Sequence, residues 1–197
     1  MAAWGFWNGQ FSPHSFAAKA KQRGYAWAAL ELDDTTTGAF NRSIWPYFRS
    51  ELEAVGIIPG AWFTEGGNIE STPPDAHFAI AEMEGQADYD GVISAINRGR
   101  LPDCSLAIIT NFNVPFTSPG AIHPEVAVPL IENGFHCLTE CYLGDNPNAT
   151  PDRLDWTSKR FGWPASQPVF GLWNAPLSTY DAWKDWPGVH YLAENIL

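Results

Sequence analysis

In the stretch HFAIAEMEGQ, residues 77–86, two glutamates stand two apart at the end of an apolar, Ala-rich run. Successive side chains of a β-strand alternate between its faces, so Glu82 and Glu84 would project together from one face. Carboxylates held side by side among apolar neighbours lose hydration and repel each other, which raises the pKa of at least one. A carboxyl kept protonated beside an ionised partner is what protonation of a glycosidic oxygen requires. The bland alternative is that such acids cap helices, pair with arginine or sit solvated at the end of a strand.

The elements that must hold these acids can be read from periodicity. Eight apolar runs of strand length occur: AWGFWN (3–8), YAWAALEL (25–32), IIPGAWFT (57–64), HFAIAEME (77–84), SLAIITNF (105–112), FHCLTECY (135–142), PVFGLWN (168–174) and HYLAEN (190–195). HSFAAKAKQRG, RSIWPYFRSELEAVG, DYDGVISAINRG, HPEVAVPLIENG and PDRLDWTSKRFG lie between them, with apolar residues at helical spacing and a glycine stop. Two connections, EGGNIESTPPDA and APLSTYDAWKDWPGV, are rich in Pro and Gly and predict only a turn or two of helix. Strands alternating with helices pair in parallel, and eight such units predict an α/β fold, a small (β/α)8 TIM barrel forming one domain over residues 1–197. A doubly wound open sheet is the alternative, but neither G-x-G-x-x-G nor G-x-x-x-x-G-K-[ST] occurs.

Barrels keep their reactive groups at the C-terminal ends of the strands. Those ends carry Asn8, Glu31 and Asp33, Glu65, Glu82 and Glu84, Asn111, Glu140, Asn174 and Glu194, a convergence of seven carboxylates. Alternation puts Glu31 and Asp33 on a face with Trp27, and Glu82 and Glu84 with Phe78 and Ile80, leaving Leu30, Leu32, Ala79 and Ala81 for the helices. The expected catalytic set is therefore Glu84 and Glu82, with Glu140, Asp33 or Glu31 as the carboxylate on a facing strand. Asn8, Trp7, Trp62, Asn111, Tyr142, Trp173, Asn174 and Glu194 are the expected substrate contacts. Trp7, Trp62 and Trp173 can each stack on a sugar ring or pack against helices. Trp173 and Asn174 have opposite parity, so only one of them can point inward.

Composition excludes several functions. With 11 basic against 22 acidic residues and a net charge of −11, the chain repels phosphate backbones and anionic membranes, so no nucleic-acid or membrane partner is expected. No apolar run approaches the roughly 20 residues that span a bilayer, and MAAWGFWNGQ lacks the pattern of a signal peptide, which predicts a soluble protein. Cys104, Cys137 and Cys141 have neither zinc spacing nor a disulfide framework; residues 137 and 141 would lie about 13 Å apart along a strand. The five histidines, His14, His77, His123, His136 and His190, form no H-x-H or H-E-x-x-H pattern, and no G-x-S-x-G elbow occurs. No cofactor and no resident metal are expected, although Glu31, Asp33, Glu82 and Glu140 have the oxygen chemistry of a Mg2+ or Ca2+ site. Ten Trp beside 12 Phe and 6 Tyr suit sugar stacking, core packing and partner interfaces alike.

The acid-x-Glu pair in AIAEMEG is similar to the Asp-x-Glu that ends the fourth strand of the barrel muramidases of glycoside hydrolase family 25. It also resembles the last part of the chitinase-type D-x-x-D-x-D-x-E signature. That resemblance implies Glu84 as general acid and Glu82 as its assisting carboxylate. It departs at Glu82, where the family has Asp, at His77 and Ile80, where chitinases carry aspartates, and at Asn8, which falls on the muramidases' first-strand Asp. The chain as a whole, and above all FGWPASQPVFGLWNAPLSTYDAW…VHYLAENIL, resembles glycoside-hydrolase-like barrels in tail proteins of phages that infect actinobacteria. This implies a virion tail component that cuts or binds cell-wall polysaccharide, with other tail proteins as neighbours. A non-catalytic carbohydrate-binding module and a purely structural tail subunit are the alternatives it leaves open.

Overall fold

Glycine stops set the path of the chain. Helices α1 (Pro13–Gln22), α2 (Trp45–Ala54), α3 (Gln86–Asn97) and α4 (Pro124–Glu132) are followed by Gly24, Gly56, Gly99 and Gly134, all at positive φ. At the end of α2, Gly56 has φ 77° and lets the Ile57 N–H turn back to the Leu52 carbonyl at 2.9 Å. That left-handed turn costs a residue with a Cβ far more than it costs glycine. It delivers buried Ile57 directly ahead of the next strand. Tyr25 and Phe135 are delivered in the same way, by bonds to the carbonyls of Ala20 and Leu130.

The computed structural model describes residues 4–7, 12–22, 24–34, 39–83, 86–111, 124–142, 167–171 and 191–195. The strands are β1 (Trp4–Trp7), β2 (Trp27–Asp34), β3 (Ala39–Phe40), β4 (Ile58–Phe63), β5 (Phe78–Met83), β6 (Ser105–Asn111), β7 (His136–Tyr142), β8 (Gln167–Gly171) and β9 (Tyr191–Asn195). They form one sheet in the order β1-β9-β8-β7-β6-β5-β4-β2-β3, and β1 also pairs with β2. Eight strands run parallel and correspond to the eight apolar runs. The short β3, which pairs antiparallel with the end of β2, was not expected; at two residues it is too short for periodicity to reveal. The Gly-rich connection after β4 forms a 3-10 helix, Gly66–Ser71, as its composition suggested. The stretch PDRLDWTSKRFG and the connection after β8 lie outside the described residues. Among the described residues no helix is long and apolar enough to cross a membrane.

The core lies between these strands and the helices. Leu30 and Leu32 of β2, Ala61 and Phe63 of β4, Ala79, Ala81 and Met83 of β5 and Ile108 of β6 pack against Phe16, Phe48, Leu52, Tyr89 and Val92. Phe16 of α1 meets Phe48 of α2 with ring centroids 5.5 Å apart. Asp75, just ahead of β5, accepts a hydrogen bond from the Trp45 indole at 2.7 Å and pairs with Arg49, which ties α2 to the segment that leads into β5.

The opposite face of β2, β4 and β5 is built differently. Gly60 leaves a gap that the Phe78 ring fills, so a Cβ at position 60 would come 2.3 Å from that ring. The ring reaches across β4 to Trp27 on β2, with centroids 5.7 Å apart. We predict that Gly60→Ala lowers stability by about 1–3 kcal/mol, since the added methyl must displace a packed aromatic. A fall in the urea midpoint without a change in slope checks this.

Candidate functional site

Above the Trp27–Phe78 pair, toward the C-terminal ends of the strands, the face away from the helices becomes polar. Glu31 stands between the buried Leu30 and Leu32, so alternation turns it to this face. Trp62 stands likewise between Ala61 and Phe63, and Glu82 between Ala81 and Met83. Glu31 pairs in register with Trp62, Trp62 with Ile80, and Glu82 lies two residues beyond Ile80. All three side chains are half-buried, and the Trp62 Nε1 and Glu82 Oε2 atoms are shielded from solvent. The strands of the two acids are separated by β4, hence by about 10 Å across the sheet, with the indole between them.

Asp33 takes another path. Between Glu31 and Asp33 the register with β4 shifts, so that Glu31 pairs with Trp62 and Asp33 with Phe63. Two steps on β2 thus match one step on β4, a bulge that breaks the alternation expected to keep Asp33 with Glu31. The Asp33 carboxylate instead receives the backbone N–H of Thr64 at 2.8 Å and of Glu65 at 2.9 Å, and the Asn68 side-chain amide at 3.0 Å. The Thr64 hydroxyl donates to the Asp33 backbone carbonyl at 3.1 Å. Asp33 is only 5% exposed. Burial pushes its pKa above the ordinary carboxylate value, and the hydrogen bonds from Asn68, Glu65 and Thr64 pull it down without cancelling that effect.

The turn that Asp33 holds is fastened at a second point. Asp88, in the first turn of α3, accepts the Gly66 N–H at 3.3 Å. Gly67 and Gly91 bring the 3-10 helix and α3 into backbone contact, and a Cβ on Gly91 would come 2.6 Å from the Gly67 Cα. A Cβ on Gly66 would lie 3.0 Å from the Glu82 carbonyl oxygen, so the turn runs directly beside the end of β5. Thr64, Asn68 and Asp88 were missed as partners of this region. The only local signal was the turn composition of TEGGN, which does not point to a carboxylate 31 residues earlier.

Of the other expected residues, Glu84, Asn8, Trp173 and Asn174 lie outside the described residues. Strand registers locate several more. Trp7 pairs with Leu30, Glu194 with Gly5, Tyr142 with Gly171, and Glu140 with both Asn111 and Val169. Glu140 stands two residues beyond the level at which Glu82, Ile109 and Leu138 align. Among the described residues no three His, Cys, Asp or Glu side chains are grouped as a metal ion would need.

No protein-family model matches the chain, and neither does any curated protein. Among solved structures the chain is similar to the D-psicose 3-epimerase from Clostridium cellulolyticum H10, determined with D-tagatose. The TM-score is 0.53 at 8% sequence identity, covering 98% of this chain and 84% of that one. That protein is a TIM-barrel sugar epimerase, and the likeness supports an α/β fold of the TIM-barrel type. At such identity it bears on fold alone.

Truncation of Asp33 strands three donors, so Asp33→Ala is expected to cost about 2–3 kcal/mol of stability. The pH dependence has a definite sign. With its folded pKa raised, Asp33 contributes stability fully below the unfolded carboxylate pKa, and that contribution is lost as pH rises through the folded value. Urea unfolding of the wild type between about pH 4 and 7 should show this decline, and Asp33→Ala should lack it.

Proposed function

We propose that the chain is a closed (β/α)8 barrel of the glycoside-hydrolase kind, carried in the tail of a phage of actinobacteria, and that it hydrolyses glycan of the host cell envelope. The pairing of β1 with both β9 and β2 supports closure. The observation that carries the functional reading is the trio Glu31, Trp62 and Glu82 on three neighbouring strands at their C-terminal ends. An indole offers a sugar ring a flat apolar face, and carboxylates to either side supply the groups that glycosidic cleavage needs. The tail setting rests on the resemblance of the chain as a whole, and above all of residues 161–197, to phage tail barrels.

In this reading Glu84 gives its proton to the departing glycosidic oxygen, and Glu82 beside it keeps that proton in place by like-charge repulsion. A carboxylate on a facing strand, Glu31 or Glu140, either takes a proton from the attacking water or attacks the anomeric carbon itself. Asp33 is the least suited of the candidates to that second role, because its oxygens already hold the turn after β4. This last observation favours a second reading, in which the scaffold binds glycan or neighbouring tail subunits without cutting. Fold does not choose between the two.

Release of dye from labelled actinobacterial cell wall separates them. Glu84→Gln and Glu82→Gln are each expected to slow release by about 100-fold or more, the usual contribution of a positioned acid. No release by the wild type, or equal release by the wild type and Glu84→Gln, would refute hydrolysis. Binding to the wall without release would establish the second reading.

A further inference from the structure

The contact of Trp27 with Phe78 fixes how β2 and β5 stand to each other. Trp27 pairs in register with Ile58, whereas Phe78 directly precedes Ala79, the partner of Ala61, and so stands at the level of Gly60. Rings two residues out of register therefore meet across β4, with centroids 5.7 Å apart. This is the stagger of tilted strands, in which residues of alternate strands face one another in layers. The register of β2 with β4 is unbroken from Trp27 to Glu31, and that of β5 with β6 from Phe78 to Met83. The same relation thus recurs four residues on, where Glu31 follows Trp27 and Glu82 follows Phe78 on the face away from the helices. Glu31 and Glu82 consequently face each other in one layer above the rings.

The two layers differ in what β4 places between. Below, Gly60 has no side chain and lets the rings touch. Above, Trp62 carries its indole on the same face, and both its Nε1 and the Glu82 Oε2 are shielded from solvent. A side chain of that size keeps the acids of β2 and β5 further apart than the rings below them. Retaining glycosidases hold their carboxyls about 5–5.5 Å apart, and inverting ones about 6.5–9.5 Å, which leaves room for a water.

We infer that Glu31 is the second catalytic carboxylate, acting as a general base on water, and that Trp62, as the spacer, makes the cleavage inverting. This rests on the hydrolytic form of the reading above. Glu31 takes a proton from the water as its oxygen bonds to the anomeric carbon from the far side. The glycosidic C–O bond breaks with its electron pair on the departing oxygen, which takes the proton of the acid at the end of β5. One water is consumed, and no covalent glycosyl-enzyme forms.

The test is proton NMR of the first sugar released from solubilised actinobacterial cell-wall glycan by the full chain, read before mutarotation. The new reducing end should have the anomeric configuration opposite to that of the bond cleaved. Glu31→Gln should slow release by about 100-fold or more while sedimentation with the wall shows unchanged binding, since the base acts in the transition state. Retention by the wild type would overturn the inverting assignment, whether or not Glu31→Gln folds. Release by Glu31→Gln at the wild-type rate would overturn the role of Glu31 and leave hydrolysis intact. Absence of release by the wild type would overturn both this inference and the hydrolytic reading.

Discussion

One face of β2, β4 and β5 is covered by helices, and the placement of Glu31, Trp62 and Glu82 follows from that constraint. Leu30, Leu32, Ala61, Phe63, Ala79, Ala81 and Met83 point toward α1, α2 and α3 because burying each large apolar side chain is worth about 1.5–3 kcal/mol. Alternation leaves the residues between them no choice. Glu31, Trp62 and Glu82 are turned to the other face by their neighbours, so the carboxylates pay part of their hydration to satisfy packing elsewhere on the strand. A shift of register by one residue would exchange the two sets, and for that reason the register is strongly determined.

The face away from the helices is closed below and polar above. Closure depends on a missing side chain: Gly60 admits the Phe78 ring, which reaches Trp27 over the middle strand. Trp62 and the two glutamates then occupy the level toward the strand ends. Beside them, a bulge in β2 diverts Asp33 into the turn after β4, where hydrogen bonds from Thr64, Glu65 and Asn68 accompany its burial. Desolvation and hydrogen bonding oppose each other on this carboxyl, and desolvation prevails. The group therefore joins two elements at some electrostatic cost, and the turn it organises borders the end of β5.

Much of the architecture was legible in the chain. Eight apolar runs became eight parallel strands, the described helices ended at the glycines that marked their stops, and the Gly-rich connection after β4 held only a 3-10 helix. These are local properties: strand alternation, helical spacing and the left-handed turn each depend on a few consecutive residues. The bulge at Glu31–Asp33 was not legible, because it is a mismatch between β2 and β4 and exists only once the two are paired. The two-residue β3 was missed for lack of length, and the close approach of Gly67 to Gly91 because it joins segments 24 residues apart.

The candidate site divides along the same line. Residue order by itself determined that Glu31 and Glu82 turn away from the apolar residues beside them, since alternation is a property of each strand, whereas it left Trp62 open between that face and the helices until Ala61 and Phe63 were seen in the core. Tertiary structure alone decided that Asp33 leaves that face to hold a turn, and that Asn68 links it to Glu65. Those outcomes depend on which strand lies beside which and at what register. That information enters only when backbone hydrogen bonds between distant segments are made.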